Sequence, residues 1–181
     1  SFTNSLQQQG IAVCVTNPND VDSVYKSLEQ IGDIFGEKTK ADELVNSLKA
    51  RTEAIAAKVS TEKPVLVFVQ ISKEPLFTIG KSSFVTDLIT RAGGSSVTSN
   101  IGEAYPKFSK ETALALQPEA IILSDSEDNR EPNDVFAKSP AVRGGKIFRV
   151  NADLISRPGP RMFDALEQLA AALHPEKFSK P

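Results

Sequence analysis

Residues 65–71 read VLVFVQI, and all but one of them are apolar. Such a run predicts a strand that is buried on both faces, as in a parallel sheet covered by helices. Residues 120–123 (AIIL) and 146–150 (KIFRV) have the same character. Helical patterns lie between and after these runs. The alternation therefore predicts an α/β fold, with a mostly parallel sheet in a three-layer lobe.

The segments between the predicted strands carry apolar residues at helical spacing. A short helix is predicted from Ser109 through Leu116 and another near Val135 and Phe136, whereas residues 95–108 are predicted to be irregular. The two longer helices have inward faces made of Phe84, Val85, Leu88, Ile89 and Ala92 in the first case, and of Met162, Phe163, Leu166, Leu169, Ala170 and Leu173 in the second.

The part of the chain before Pro64 is mainly helical in pattern. Residues 2–9 predict a polar helix that Gly10 ends, and residues 11–15 (IAVCV) predict a buried strand. A strand so near the first residue leads us to expect that structure preceding it is missing. Residues 21–35 and 38–59 predict two helices, the second about 30 Å long. Its single apolar stripe suits a helix that joins two lobes, although an ordinary surface helix has the same periodicity.

Composition excludes several classes of protein. The chain has 181 residues, 40% of them hydrophobic, and 21 basic against 23 acidic side chains give a net charge of -2. A disordered chain and a nucleic-acid binder driven by bulk charge are both excluded. No apolar run approaches the ~20 residues that a membrane span needs.

The single cysteine excludes an internal disulfide and a thiolate-clustered zinc site. Cys14 lies in the apolar run at residues 11–15, so we expect a small buried hydrophobic side chain. Residues 1–10 lack the basic start and apolar stretch of a signal peptide. Two interpretations follow: the protein is cytoplasmic, or a leader has been removed.

Known catalytic and metal-binding motifs do not fit. Gly80-Lys81-Ser82 resembles the end of a phosphate-binding loop, but Pro75 stands where that loop needs its first glycine. Residues 125–131 space oxygen ligands as a calcium loop does, yet they lack its turn glycine, so a solvated loop is predicted. His174, the only histidine, is interpreted as a cation at a helix end. We therefore predict no catalytic residue and no metal site, which favours a binding protein over an enzyme.

Three loops have the features of a ligand site. Ligands of open α/β sheets bind beyond the carboxyl ends of the strands, and residues 74–80 (EPLFTIG) follow a predicted strand directly. Phe77 there is either a core residue or a flat wall for a ligand. Tyr105 lies in the irregular segment. Arg157, in a proline-stiffened loop, can donate forked hydrogen bonds to a ligand or pair with Asp153.

Taken in order, these segments resemble the helical-backbone (class III) substrate-binding proteins of ABC transporters, which capture cobalamin, heme and iron–siderophores. No single motif is specific, but the ordered set covers nearly the whole chain. The stretches that carry the resemblance are residues 10–13 (GIAV), 22–25 (DSVY), 31–36 (IGDIFG), 75–80 (PLFTIG), 92–94 (AGG), 105–111 (YPKFSKE), 117–122 (QPEAII), 157–161 (RPGPR) and 173–175 (LHP).

The resemblance implies two α/β lobes joined by one long helix, with the ligand between them. Residues 1–36 would then be the remnant of the first lobe, residues 37–63 the inter-lobe helix, and residues 64–181 the complete second lobe. Most of the first lobe is expected to be lacking, which removes half of the cleft wall.

The resemblance also implies roles for particular residues. Phe77 corresponds to an aromatic that packs on the ligand, and Tyr105 to a position where cobalamin binders carry an aromatic. Asp153 and Arg157 correspond to polar residues that bond the ligand periphery. Glu111 corresponds to the glutamate that docks onto arginines of the membrane permease, although a glutamate in a first helical turn also favours the helix dipole.

The implied function is that of an extracytoplasmic solute-binding component. It would deliver a corrinoid ligand to a permease and its ATPase without covalent chemistry, and without a covalently bound cofactor. We expect a periplasmic or membrane-anchored location, no nucleic-acid partner, and membrane contact only through the permease or an upstream lipid anchor.

Several alternatives stay open at this point. The loops around Tyr105 and Arg157 favour cobalamin over a ferric siderophore, whereas heme stays open because Tyr105 could ligate iron. An enzyme that shares this lobe type would need metal ligands, which the sequence hardly offers. An interaction domain with a degenerate cleft is the remaining alternative.

Overall fold

Four parallel strands form one sheet in the computed structural model, which describes residues 2–178. The strands are β1 Val65–Gln70, β2 Gly94–Ser96, β3 Ala120–Asp125 and β4 Ile147–Asn151, and their spatial order is β2-β1-β3-β4. The helices are α1 Phe2–Gln8, α2 Val21–Phe35, α3 Lys38–Val59, α4 Phe84–Arg91, α5 Lys110–Ala115, α6 Pro140–Arg143, α7 Ala152–Ser156, α8 Met162–Leu173 and α9 Pro175–Phe178, with a 3-10 turn at Asp134–Phe136.

Side chains of the two central strands alternate between two hydrophobic cores, one on each face of the sheet. In β1, Val67 enters the larger core and Phe68 the smaller one. In β3, Ile122 and Ile121 divide in the same way. Because successive side chains of a strand point to opposite faces, a continuous apolar run fills both cores. The predicted burial of both faces is confirmed at these positions.

Helices cover each face of the sheet, so the predicted three-layer α/β architecture is confirmed. The larger core contains the buried faces of α4 and α8, whereas the smaller core contains residues of α5, α6 and the 3-10 turn. Every strand pair is parallel. All the carboxyl ends therefore lie at one edge of the sheet.

The helices α2 and α3 have the predicted bounds and pack on the same larger core. Tyr25 of α2 stacks on Phe163 of α8 with ring centroids 5.4 Å apart, and its hydroxyl lies 2.9 Å from that of Thr52 in α3. Arg51 of α3 donates hydrogen bonds to Asp164 and Glu167 of α8, at 2.7 Å each. The role of α3 as a connection between two lobes stays a prediction.

The prediction of a buried strand at residues 11–15 is wrong. These residues form no strand in the structure, and Ile11 and Val15 are 49% and 70% exposed. Cys14, predicted to be buried, is exposed as well. A strand is stable only when neighbouring backbones pair with it, and none of the four strands of the sheet pairs with this segment.

Other local predictions need correction. Residues 94–96, predicted to be a helix stop and irregular chain, form the edge strand β2, because their backbone pairs with β1. The predicted loop that contains Asp153 and Arg157 begins with the short helix α7, which the Asn151 side chain caps. The apolar side chains of α2 are not all buried, since Ile31 and Phe35 are exposed.

Candidate functional site

A hollow of about 340 Å³ lies where several loops at the carboxyl edge of the sheet meet the segment that precedes α2. The loops follow β1, β2 and β4. None of the described residues that line the hollow carries a charge; they are Asn17, Pro18, Asn19, Ser82, Phe84, Ala104, Tyr105, Ser156 and Pro158. The sequence analysis expected the loops after the strands to converge, and the structure brings three of them together.

Backbone hydrogen bonds join the loop after β1 to the loop after β2. The Gly80 N–H donates to the carbonyl of Ala104 at 3.0 Å, and the Thr78 N–H donates to that of Pro106 at 3.2 Å. Gly80 lies so close to the second loop that a Cβ atom there would be 2.1 Å from the carbonyl oxygen of Glu103. The absence of a side chain at Gly80 is therefore what permits this pairing, which brings Tyr105 to the hollow.

Two buried threonine hydroxyls fix the first loop to the sheet and the second loop to the first. Thr78 donates to the carbonyl of Val69 in β1, and Thr98 donates to that of Ile79, each at 2.7 Å. Both side chains are buried, and a hydrogen bond in such surroundings holds geometry firmly because its loss leaves a polar group unpaired. The two loops consequently form a preorganised wall.

The remaining walls come from the segment that ends and follows α7 and from the segment that precedes α2. Ser156 and Pro158 follow α7, whose start is capped by Asn151. Asn17 and Asn19 precede α2. The first backbone N–H of α2 donates to the Asp87 carboxylate of α4 at 2.9 Å, so this segment is positioned against the sheet layer.

A capping box stabilises the start of α2, directly after the segment that contains Asn17 and Asn19. The Ser23 N–H donates to the Asp20 carboxylate at 2.6 Å, and the Ser23 hydroxyl lies 3.1 Å from the backbone nitrogen of Asp20. These hydrogen bonds to Ser23 lower the pKa of the Asp20 carboxyl. The ionised cap thus fixes where the asparagine segment ends and α2 begins.

Tyr105 is the one predicted ligand residue that lines the hollow. Its side chain is 44% exposed, although the ring belongs to a loop held on both sides by hydrogen bonds. Phe77 is half-buried, and its backbone bridges Ser72 on one side and Lys107 on the other. Phe77 therefore packs against the loop that carries Tyr105, but of the two aromatics only Tyr105 lines the hollow.

Asp153 and Arg157 lie beside the hollow and pair with each other. The Arg157 guanidinium is 3.5 Å from the Asp153 carboxylate, and the two side chains are 73% and 59% exposed. The alternative of a salt bridge is therefore what the structure contains. Their neighbours Ser156 and Pro158 line the hollow, so the pair lies next to its rim.

Glu111 lies away from the hollow, in the first turn of α5. Its side chain is exposed, and hydrogen bonds from its own backbone N–H and from Ser109 lower the pKa of the carboxyl. The group is thus a solvent-facing negative charge. Its neighbour Lys110 pairs with Glu74 in the loop after β1.

A buried amide network, which the sequence analysis missed, fixes the loops after β1 and β3. The Gln70 amide donates to the Asn129 side chain at 2.7 Å, and the Asn133 N–H donates to the Gln70 side-chain oxygen at 2.7 Å. Asn129 donates in turn to the backbone carbonyls of Gln70, Ile71 and Ser124. The predicted solvated loop is therefore wrong at its centre, because Asn129 is fully buried. A lone glutamine in an apolar strand was the available signal.

Comparison with known proteins identifies relatives that match most of this chain. The sequence profile of the family described as "Periplasmic binding protein" matches residues 3–154. An "Uncharacterized ABC transporter substrate-binding lipoprotein YvrC" of Bacillus subtilis is 29% identical over 97% of this chain and 58% of its own length. A "Vitamin B12-binding protein" of Vibrio parahaemolyticus is 25% identical over 89% of this chain and 59% of its own length.

Solved structures show the same fold. A periplasmic heme-binding protein from Pseudomonas aeruginosa superposes with a TM-score of 0.83 at 22% identity, over 99% of this chain and 68% of that one. The chain spans less than two thirds of the length of the two curated relatives. Among residues 2–178, none of the helices combines the length and the apolar character that crossing a membrane requires.

Proposed function

Because this chain belongs to the periplasmic binding protein family, we propose that it is part of the solute-binding component of an ABC importer. It captures a ligand outside the cytoplasmic membrane and passes it to the permease and its ATPase. The ligand is released unchanged, so the chain needs no catalytic group. Its relatives are named as binding proteins, which supports this proposal.

The observation that carries the proposal is the hollow at the carboxyl edge of the sheet. Its walls come from separate loops, and buried hydrogen bonds hold two of these loops in place before any ligand arrives. Preorganised walls lower the entropy cost of binding. With its aromatic ring and neutral polar groups, the hollow forms one half of a clamp for a broad, flat molecule.

Cobalamin is the ligand that fits the lining chemistry best. The polar lining consists of amides and hydroxyls from Asn17, Asn19, Ser82 and Ser156. A corrin ring carries uncharged amide side chains around its edge, and amides and hydroxyls can donate to and accept from these groups. Tyr105 would pack against the ring. A named vitamin B12-binding relative supports the same choice.

Heme and ferric siderophores are the competing ligands. The two propionates of heme call for cations, but the lining carries none, and Arg157 beside the hollow pairs with Asp153. Heme iron would take Tyr105 as its ligand through the phenolate oxygen. A negatively charged ferric siderophore would also need cations, which the lining lacks. These contrasts favour a corrinoid, and the last alternative is an interaction domain whose cleft binds nothing.

Calorimetric titration of the chain with cyanocobalamin, hemin and a ferric catecholate separates these alternatives. We expect binding of cyanocobalamin with a micromolar Kd, about -8 kcal/mol. If hemin binds and its absorption spectrum gains a charge-transfer band, heme would be the ligand instead of cobalamin. Binding of the catecholate alone would favour a siderophore. No heat with any of the three would contradict ligand binding by this chain.

Substitution of Tyr105 by alanine tests the hollow itself. Loss of an aromatic contact costs about 0.5–1.5 kcal/mol beyond the buried area, so we expect roughly tenfold weaker binding. Leu114→Ala is the control, because Leu114 is a large apolar side chain that is exposed on α5 and does not line the hollow. Equal affinity of the two variants would place the ligand elsewhere.

Phe77, Asp153 and Arg157 remain proposed ligand contacts. Phe77 lies outside the lining, so a loss of affinity in Phe77→Ala would indicate that the ligand extends beyond the hollow. Arg157→Ala removes a side chain from the rim and leaves Asp153 unpaired at the surface. We expect a several-fold change with a corrinoid. A loss of more than about 100-fold would instead indicate recognition of a carboxylate, as in heme.

Glu111 is proposed to dock on arginines of the permease. Its exposed, ionised carboxylate outside the hollow supports this role. In a transport assay with the whole importer, we expect Glu111→Gln to lower uptake while the affinity for the ligand stays unchanged. Glu127→Gln, at an exposed position in the loop after β3, is the matched control. Unchanged uptake in Glu111→Gln would contradict the docking role.

The same proposal places the chain outside the cytoplasmic membrane, either in the periplasm or held at the membrane by a lipid anchor. The relative from Bacillus subtilis is named a lipoprotein, which supports the second form. Contact with the membrane would then occur only through that anchor or the permease.

A further inference from the structure

A second group of ligating side chains lies apart from the hollow, at the end of α3. Glu62 follows α3, His174 ends α8, and Glu176 belongs to α9. One ligand atom from each of the three lies within 4.8 Å of the others. We propose that Glu62, His174 and Glu176 bind a divalent transition-metal ion of the zinc class, which joins these three parts of the chain.

The orientation of His174 is the main support for this site. The side chain is 4% exposed, and its Nε2 atom lies 3.0 Å from the carbonyl oxygen of Gly93. A carbonyl can only accept a hydrogen bond, so Nε2 carries a hydrogen atom. The other ring nitrogen, Nδ1, faces the Glu176 carboxylate at 3.8 Å. The ring therefore presents Nδ1, the nitrogen that Gly93 does not engage, to a carboxylate at a separation where one cation could bind both.

The contact with Gly93 is also the supporting interaction that metal-bound histidines usually have. Such a histidine donates its second ring N–H to a carbonyl or carboxylate, which fixes the tautomer and the orientation of the ring. Gly93 has a φ of +82°, and a Cβ atom there would lie 2.5 Å from the His174 ring. The backbone thus packs directly on the imidazole and holds it in place.

The carboxylates can reach a common ion with small movements. Ligands of a tetrahedral zinc ion at about 2.0–2.1 Å lie roughly 3.3 Å from one another, compared with the present limit of 4.8 Å. The Glu176 side chain is 60% exposed, so rotation of its outer bonds closes this difference. One nitrogen and two carboxylate oxygens leave the fourth position to water.

Lys177 is the cation that already occupies part of this region. Its ammonium group lies 2.7 Å from the Glu62 carboxylate. Lys177 therefore competes with a metal ion for this carboxylate. The proposal consequently predicts that removal of Lys177 strengthens metal binding, whereas removal of either glutamate weakens it.

Isothermal titration with ZnCl₂ tests the site in the folded chain. All variants carry Cys14→Ser, because the exposed thiol would itself bind zinc. We expect one ion per chain and an increase of the thermal midpoint on addition of zinc. Glu176→Gln and Glu62→Gln should weaken binding by more than the roughly tenfold that loss of a supporting group costs. Glu53→Gln, an exposed glutamate of α3, is the matched control and should bind as the parent does.

Two further variants complete the test. Lys177→Met should bind zinc several-fold more tightly, and His174→Gln, whose amide can still donate to Gly93, should lose binding while unfolding cooperatively. Equal zinc affinity in the parent, Glu62→Gln and Glu176→Gln would overturn the proposal. It would also be overturned if His174→Gln bound zinc as the parent does, since the ion would then rest on the carboxylates alone. Absence of zinc binding in the parent would overturn it outright.

Discussion

Residues 11–15 (IAVCV) and residues 120–123 (AIIL) have almost the same composition but different structures. The second run forms most of β3 and is buried, whereas the first forms no strand, and Ile11, Cys14 and Val15 in it are exposed. Both runs satisfy the same criterion for a buried strand. An apolar run therefore indicates the capacity to form a core strand, and the neighbours decide whether it does.

The neighbours of β3 are visible in its register. Ile121 pairs with Phe68 of β1 on one side and with Ile147 of β4 on the other. Each of its faces then meets a hydrophobic core. Backbone pairing and side-chain burial reinforce one another there, since a buried backbone without partners costs free energy.

The largest predicted effect comes from one substitution made in both runs. Ile121→Ala removes a fully buried side chain from β3, and a loss of about 3 kcal/mol in the free energy of unfolding is expected. Ile11→Ala, at the half-exposed position, should change it by less than about 0.5 kcal/mol. Urea unfolding measures both. Similar losses in the two variants would contradict the contrast between the runs.

A somewhat smaller loss in the free energy of unfolding is expected where the buried side chain of Asn129, instead of a neighbouring strand, bonds to backbone carbonyls. Asn129 donates to the carbonyls of Gln70, Ile71 and Ser124 at the carboxyl ends of β1 and β3. Asn129→Ala leaves these buried acceptors unpaired, which costs about 2–3 kcal/mol. The control is Asp128→Ala in the exposed part of the same loop. If Asn129→Ala were as stable as Asp128→Ala, the network would not stabilise this edge.

Gly80→Ala tests backbone pairing outside the strands, between the loop after β1 and the loop after β2. This pairing requires the two backbones to approach closely at Gly80. The new Cβ would lie within 3 Å of the carbonyl oxygens of Ile101 and Glu103, so the two loops must separate. We expect a loss of about 2 kcal/mol in urea unfolding and weaker ligand binding. Gly102→Ala is the matched control, because nothing lies within 4 Å of its Cβ position. A neutral Gly80→Ala would show that the loops adapt freely.

The smallest effect concerns the end of the unpaired segment, where Asp20 caps α2. Hydrogen bonds to Ser23 lower the pKa of Asp20 from its usual value of 3.8. The ionised cap therefore stabilises the fold above that value, and this contribution is lost as the pH falls through the depressed pKa. At pH 7, Asp20→Ala should cost about 1 kcal/mol.

The acid dependence distinguishes the charge of this cap from its hydrogen bond. Asp20→Asn keeps a good capping side chain but has no carboxyl group, so its stability should be close to the parent at pH 7 and should lose less than the parent below about pH 4. Urea unfolding at several pH values measures this difference. Identical acid profiles of the parent and Asp20→Asn would show that this carboxyl does not contribute.

Much of the fold could be predicted from periodicity. The two helices α2 and α3 have the predicted bounds, and three of the four strands lie where the apolar runs predicted them. The edge strand β2 could not be predicted, because Gly94 to Ser96 have little strand propensity and form a strand only by pairing with β1. The exposure of Ile31 and Phe35 was equally hidden, since periodicity defines a face but not what covers it.

The location of the candidate site could be predicted from the sequence better than the residues that line it. The rule that ligands bind beyond the carboxyl ends of parallel strands located the loops. Of the predicted ligand residues, Tyr105 lines the hollow, whereas Phe77 does not. Asn17 and Asn19 were missed because a short asparagine- and proline-containing segment before a helix is typical of an ordinary turn. A turn residue shows no sign in the sequence that another loop, distant along the chain, closes over it.

The sequence by itself determined where the longer helices lie, which apolar runs can be strands, and that parallel strands present their carboxyl ends at one edge. These properties are local, because spacing of side chains and backbone preferences act within a few residues. Only the tertiary structure decided that residues 11–15 stay outside the sheet, that Gly80 meets the backbone of the neighbouring loop, and that His174 turns its ring toward Gly93 and Glu176. Such features depend on contacts between residues far apart in the chain, and no local pattern encodes which partner arrives.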